Sequence, residues 1–149
     1  MIRFVRTDFT HPDFQALVVL LDQELAIRDG ADHAFYNQFN KIDKIQYVVL
    51  AYHHDVAVGC GAIKDFEPGI MEVKRMFVAP DGRQKGIASL VLAELENWAR
   101  ALGGAKCILE TGVRQPEAIA LYKKNGYVQI PNYGQYEGVS DSLCFEKPM

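Results

Sequence analysis

The chain has 149 residues, 49% hydrophobic and 23% charged, a balance that suits one domain with a core of its own. No run of about 18 apolar residues is present, and the opening MIRFVRTDFT has no apolar signal core, so a cytoplasmic protein without a membrane partner is expected. The net charge of −3 argues against a nucleic-acid partner, which needs a basic face.

Ile2 to Arg6 predicts a short strand. Thr10 and Asp13 then suggest a capping box, and Phe14, Leu17, Leu21 and Leu25 follow at helical spacing. A second, weaker helical pattern covers Asp32 to Phe39. Tyr47 to Tyr52 and Val56 to Ile63 are β-rich runs around His53-His54-Asp55, which predicts a hairpin with the histidines in an exposed turn. Met71 to Val78 is a strand stopped by Pro80. Ile87, Leu90, Val91, Leu95, Trp98 and Leu102 mark one helical face, ended by Gly103-Gly104. Cys107 to Thr111 is a strand, and Pro116 opens a helix through Lys124 with Gly126 beyond its end. Tyr127 to Ile130 and Leu143 to Glu146 are the last strands, so the order predicts a mixed α/β sheet covered by helices. Cys60, Cys107 and Cys144 are odd in number and form no CxxC pair; they read as buried free thiols, with no metal site.

Charge is unevenly spread. Residues 1–73 carry net −5 and residues 107–149 net −1, whereas residues 74–106 carry net +3. That basic island surrounds Val78-Ala79-Pro80-Asp81-Gly82-Arg83-Gln84-Lys85-Gly86-Ile87-Ala88-Ser89, where a strand end, a glycine loop and a helix start meet. The first N–H groups of a helix lack intrahelical partners, and the dipole puts partial positive charge there. Gly86 and Ala88 would let a phosphate approach the backbone, Ser89 adds a hydroxyl, and Arg83 and Lys85 add charge. The spacing is neither a Walker loop nor the dinucleotide GxGxxG.

Arg83-Gln84-Lys85-Gly86-Ile87-Ala88 resembles the R/Q-x-x-G-x-G/A signature of the GCN5-related N-acetyltransferase (GNAT) superfamily. The preceding Glu72 to Pro80 is similar to that family's fourth strand, and Glu117 to Tyr127 to its A-x-x-L-Y-x-x-x-G-F/Y segment. The Glu110-Thr111-Gly112…Gln115-Pro116 wording resembles a bacterial subgroup of acetyltransferases. The resemblance implies the acyl-CoA N-acyltransferase fold, a mixed and mostly antiparallel twisted sheet flanked by helices, as one domain over residues 1–149.

It also implies roles. Backbone amides from Gln84 to Ser89 would hold the pyrophosphate of acetyl-CoA, and the strand through Met76, Phe77 and Val78 would pair with the pantetheine arm. An N–H near Met76 or Phe77 would serve the thioester oxygen. Tyr122 matches the usual general acid, and Glu72 a base carboxylate of the histone-acetylating branch. Glu72 stands six residues before Val78, so a regular strand puts both on one face. Pairing with Lys74 or Arg75 is the plain alternative for Glu72, and packing for Tyr122. Many members have an asparagine after the fifth strand; here Gln115 stands nearby as a substitute amide.

The activity so implied is acetyl transfer from acetyl-CoA to a primary amine, on a small molecule, a peptide or a lysine. A non-catalytic acyl-CoA-binding module and a transferase for longer acyl-CoAs are the competing readings. Walls for the acceptor are expected from Glu24, Phe35, Tyr36, Tyr133 and Tyr136. A homodimer is compatible with the family.

Overall fold

Every residue from Val48 to Tyr52 is buried, as a strand covered on both faces requires. A computed structural model, describing residues 1–37, 41–42 and 44–149, places this run as β2 (Tyr47–His53) within a seven-stranded sheet. Before it come β1 (Ile2–Thr7), α1 (Pro12–Asp29) and α2 (His33–Asn37). After it come β3 (Val56–Glu67), β4 (Ile70–Val78), α3 (Ile87–Ala101), β5 (Lys106–Gly112), α4 (Pro116–Lys124), β6 (Val128–Ile130) and β7 (Ser142–Pro148). The sheet order is β1-β2-β3-β4-β5-β7-β6, with every pair antiparallel except β4 and β5. The sheet is therefore mixed and mostly antiparallel.

Alternation along each strand feeds two cores. On one face Phe14, Leu17, Leu21 and Leu25 of α1 pack on Val48, Leu50, Cys60 and Phe77. On the other, Ile87, Val91, Leu92 and Leu95 of α3 pack on Val49, Ala51, Ile63 and Val73. The three cysteines are free and buried, and His54 and Asp55 take left-handed φ values of 51° and 62° in the hairpin turn. Two expectations at the first helices change. His11, not Thr10, caps α1, because Pro12 occupies the first helical turn and the His11 Nδ1 accepts from the Asp13 N–H at 3.1 Å. The segment after α1 is a 3₁₀ turn over Gly30–Asp32 followed by α2; the predicted end at Phe39 lies outside the described residues.

The features that create a site lie in β4. Cys60 pairs with Phe77 and Ala62 with Lys74, so Arg75 and Met76 together oppose Gly61 in a β-bulge. Arg75 has φ 57°, its carbonyl accepts from the Cys60 thiol, and its guanidinium is anchored to Asp22 of α1. Gly61 permits this, since a Cβ there would sit 2.5 Å from the Met76 sulfur. The bulge shifts the alternation. Phe77 joins the α1-side core and Val78 packs against the α3-side core, so Glu72 and Val78 do not share a face as the unbroken period of two predicts. β4 and β5 pair only from Ile70 to Glu72 opposite Lys106 to Ile108, and beyond that they part.

Candidate active site

The parting of β4 and β5 opens two cavities. The larger, about 570 Å³, runs along the end of β4, the glycine loop, the start of α3 and one side of α4. Its size falls in the range of small-molecule and cofactor sites. Met76, Phe77, Val78, Arg83, Gln84, Gly86, Ile87, Ala88, Ser89, Gln115 and Tyr122 all line it, so the residues expected to hold the acyl donor come together here; Lys85 stands in the same loop.

Gly86 is the N-cap of α3 with φ 76°, and Gln84 has φ 64°. A loop with left-handed residues at a helix start turns N–H groups into an anion-binding nest, and helix geometry leaves the N–H groups of Ile87, Ala88 and Ser89 without intrahelical acceptors. The nearby side chains are held by the protein itself. Arg83 donates from Nε to the Val78 carbonyl at 2.9 Å and from Nη2 to Glu24 Oε2 at 2.6 Å. Lys85 Nζ donates to the Asp81 carbonyl at 3.1 Å, and the Ser89 hydroxyl accepts from Asn125 at 3.1 Å. Across the groove mouth, Arg28 of α1 makes a two-pronged pair with Glu117 of α4, at 2.8 and 3.1 Å, and meets Glu24 at 3.4 Å. Its guanidinium pulls the Glu117 carboxyl down to about 2.

The smaller cavity, about 100 Å³, lies on the α1 side of the sheet. Glu72, Lys74, Glu110, Asp29, Tyr36 and Tyr136 line it. Leu21, Met76, Gln115, Ala118 and Tyr122 line both cavities and so mark where they join. Tyr122 belongs to the α3-side core, stacked edge-on against Tyr127 at 5.8 Å, yet it reaches the α1-side cavity through the gap beside β4. Burial first, then the Glu110 charge, pushes its phenol well above the ordinary tyrosine range.

Glu72 is 5% exposed, and its Oε2 accepts from the Tyr133 hydroxyl at 2.6 Å. Tyr133 stands in the segment joining β6 to β7, so this bond ties that segment to β4. Tyr36 and Tyr136 do wall the smaller cavity and Glu24 the larger. Phe35 instead packs edge-on against Tyr36 at 5.2 Å.

One residue of the cavity escaped the sequence reading. Glu110 of β5 faces the same space, and its Oε2 is buried without a hydrogen-bond partner among the described residues. Burial raises its carboxyl from 4.5 to about 7, against smaller opposing effects of the Ser142 hydroxyl and Lys74. A polar residue between Leu109 and Thr111 in an otherwise buried strand was the available signal.

Comparison with known proteins agrees with this geometry. The profile of the acetyltransferase (GNAT) family matches residues 11–127. The IAA acetyltransferase of Azospirillum brasilense is 44% identical over 102 residues, 68% of this chain and 67% of that protein. A presumed acyl-CoA N-acyltransferase from Klebsiella pneumoniae superposes with TM-score 0.83 at 29% identity, covering 99% of this chain and 97% of that one. The Paia N-acetyltransferase of Thermoplasma acidophilum, solved with coenzyme A, shares the fold with TM-score 0.74 at 16% identity, covering 100% and 99% of the two chains.

Proposed function

This chain belongs to the GNAT family of acetyltransferases and is an acyl-CoA-dependent N-acetyltransferase, and from that premise we propose how its own residues divide the work. The chain works as one catalytic domain. The larger cavity takes acetyl-CoA, and the smaller takes the amino end of a primary amine. The observation that carries this reading is the junction: Met76 and Tyr122 line both cavities, so a thioester carbonyl at their meeting point faces an amine from one side and the acid from the other.

The nest at Gln84 to Ser89 holds the pyrophosphate, its N–H groups supplying charge complementarity where Arg83 and Lys85 are turned back on the protein. The edge of β4 from Met76 to Val78, unpaired with β5 beyond Glu72, pairs with the pantetheine amides. The bulge aims a backbone N–H near Met76 at the thioester oxygen. The amide of Gln115, which lines both cavities, steadies the arm at the same place.

The acceptor arrives as an ammonium and must lose a proton before attack. A carboxylate of the smaller cavity takes that proton; Glu72 of β4, the residue expected from sequence, and Glu110 of β5 both stand there. Nitrogen then bonds to the carbonyl carbon, the carbon–sulfur bond breaks, and the Tyr122 hydroxyl protonates the leaving thiolate. Tyr122 recovers a proton from the one the nitrogen sheds, so one net proton is released per acetyl transferred. Burial keeps the phenol protonated until the thiolate forms.

Calorimetric titration with acetyl-CoA tests the donor site. Ala88→Glu is the informative variant, because Ala88 lines the groove in helical backbone, whereas any side chain at Gly86 strains φ 76°. Wild type should bind and folded Ala88→Glu should lose at least about 100-fold in affinity, the scale of placing a carboxylate against a phosphate. Equal affinity for both proteins rules the nest out as the pyrophosphate site. Thiol release on adding primary amines then reports transfer.

A further inference from the structure

We infer that Glu110 of β5 is the carboxylate that meets the acceptor ammonium and takes its proton, and that Glu72 is a positioning residue that latches the segment before β7 through Tyr133. This rests on the two-cavity reading above and assigns the base within it.

Geometry separates the two carboxylates. Glu72 already has a short acceptor bond at 2.6 Å from the Tyr133 hydroxyl, and Phe66 stacks edge-on against that ring at 5.2 Å. That oxygen is already occupied in the free protein. Glu110 has a buried oxygen, Oε2, with no hydrogen-bond partner among the described residues. An orphaned buried acceptor costs free energy unless something arrives to fill it, and an ammonium entering the smaller cavity does so.

Position along the strands agrees. Glu72 lies level with Ile108, in the last rung where β4 and β5 still pair. Glu110 lies two residues further along β5, on the same face as Ile108 and beyond the point where the strands part. That is the side of the gap into which Tyr122 reaches, and Glu110 is the carboxylate whose charge bears on the Tyr122 phenol. Acid and base thus flank one opening.

The surroundings tune the group to the task. Asp29 of α1 and Glu72 of β4 disfavour a second charge, while Lys74 of β4 and the Ser142 hydroxyl of β7 favour it. Tyr36 of α2 and Tyr136 also feel the Glu110 charge and stay protonated themselves. A carboxyl near 7 accepts a proton and returns it to water at neutral pH, which one near 4.5 does poorly.

Two measurements test this. The first follows carboxyl titration by infrared difference spectroscopy of wild type against Glu110→Gln, without any acceptor. A carboxyl band lost in the variant should titrate near pH 7; titration in the ordinary range near 4.5 overturns the assignment. The second measures acetyl transfer to a series of primary amines from n-butylamine to O-methylhydroxylamine across pH 5–9. Glu110→Gln should lose about 100-fold in kcat/KM with the basic amines and abolish the acidic limb of the profile. The weakly basic amine, already neutral, should lose less than about 5-fold. Glu72→Gln should keep the limb and lose mainly in KM. If Glu72→Gln removes the limb while Glu110→Gln keeps it, the roles are reversed and the inference fails alone. A wild type that binds acetyl-CoA yet acetylates no amine of the series overturns the transfer reading and this inference together.

Discussion

Glu96 of α3 and Glu110 of β5 are two carboxylates on opposite sides of the sheet, and the fold treats them in opposite ways. Glu96 is fully engaged: Tyr127 donates to its Oε2 and Lys147 to its Oε1, both at 2.9 Å. Glu110 has one oxygen buried and unpartnered among the described residues, and a carboxyl raised to about 7. The first knits α3 to β7 and to the start of β6. The second meets the Ser142 hydroxyl and the Lys74 charge as favourable neighbours, and it faces a cavity. On the proposed reading, the first carboxylate is satisfied in the free protein and the second is filled by the acceptor.

The sharpest way to break this comparison is to delete each in turn and measure unfolding. Glu96→Ala strands the Lys147 ammonium and the Tyr127 hydroxyl against a partner that is gone, at a cost of about 3 kcal/mol. Urea unfolding at pH 7 should read that loss. Glu110→Gln should cost nothing there. An equal loss in both variants would mean that Glu110 is structural after all.

Glu110 also carries a pH dependence of its own. The Glu110 carboxyl sits near 7 in the folded chain and near 4.5 when unfolded, so between those values the folded state holds a proton that the unfolded state has released. Stability therefore falls as pH rises through that window. Removing the group should stabilise the protein above pH 7, on the order of 2 kcal/mol after allowance for partial exposure, and leave it unchanged below about pH 4. The gap between wild-type and Glu110→Gln melting temperatures, tracked from pH 4 to 8, checks the sign. A gap that does not open with pH removes the raised carboxyl from the account.

Sequence reading reached far in some places and stopped in others for physical reasons. The glycine loop and α4 were legible because a left-handed Gly86, the bare Ala88 and the Pro116 helix start are local requirements that the residues themselves declare. The bulge in β4 was not. Its cause is a close approach between Gly61 on one strand and Met76 on the next, and period-of-two counting within a single strand cannot see it. Glu110 was missed for a similar reason. Its distinction is an oxygen without a partner, which depends on which side chains of α1, β4 and β7 come near. Glu72 was found by family pattern, but its bond to Tyr133, 61 residues away, is a tertiary fact.

The smallest effect in stability gives the cleanest separation of roles, because it compares two tyrosines that touch each other. Tyr122 and Tyr127 are both buried, their rings meeting at 5.8 Å, and each stands near one of the two carboxylates. Tyr127→Phe removes the donor to Glu96 but leaves Lys147 in place, so about 1 kcal/mol of stability should go while turnover stays within about two-fold of wild type. Tyr122→Phe keeps the ring packed against Tyr127 and Phe145 and removes only the hydroxyl, so stability should move by less than about 0.5 kcal/mol. Its kcat should fall about 10- to 100-fold, because the thiolate then leaves without a proton, and acetyl-CoA affinity should hold. Crossed results, with Tyr127→Phe slowing transfer and Tyr122→Phe only loosening the fold, would place the acid on the wrong side of this ring pair and the acceptor cavity with it.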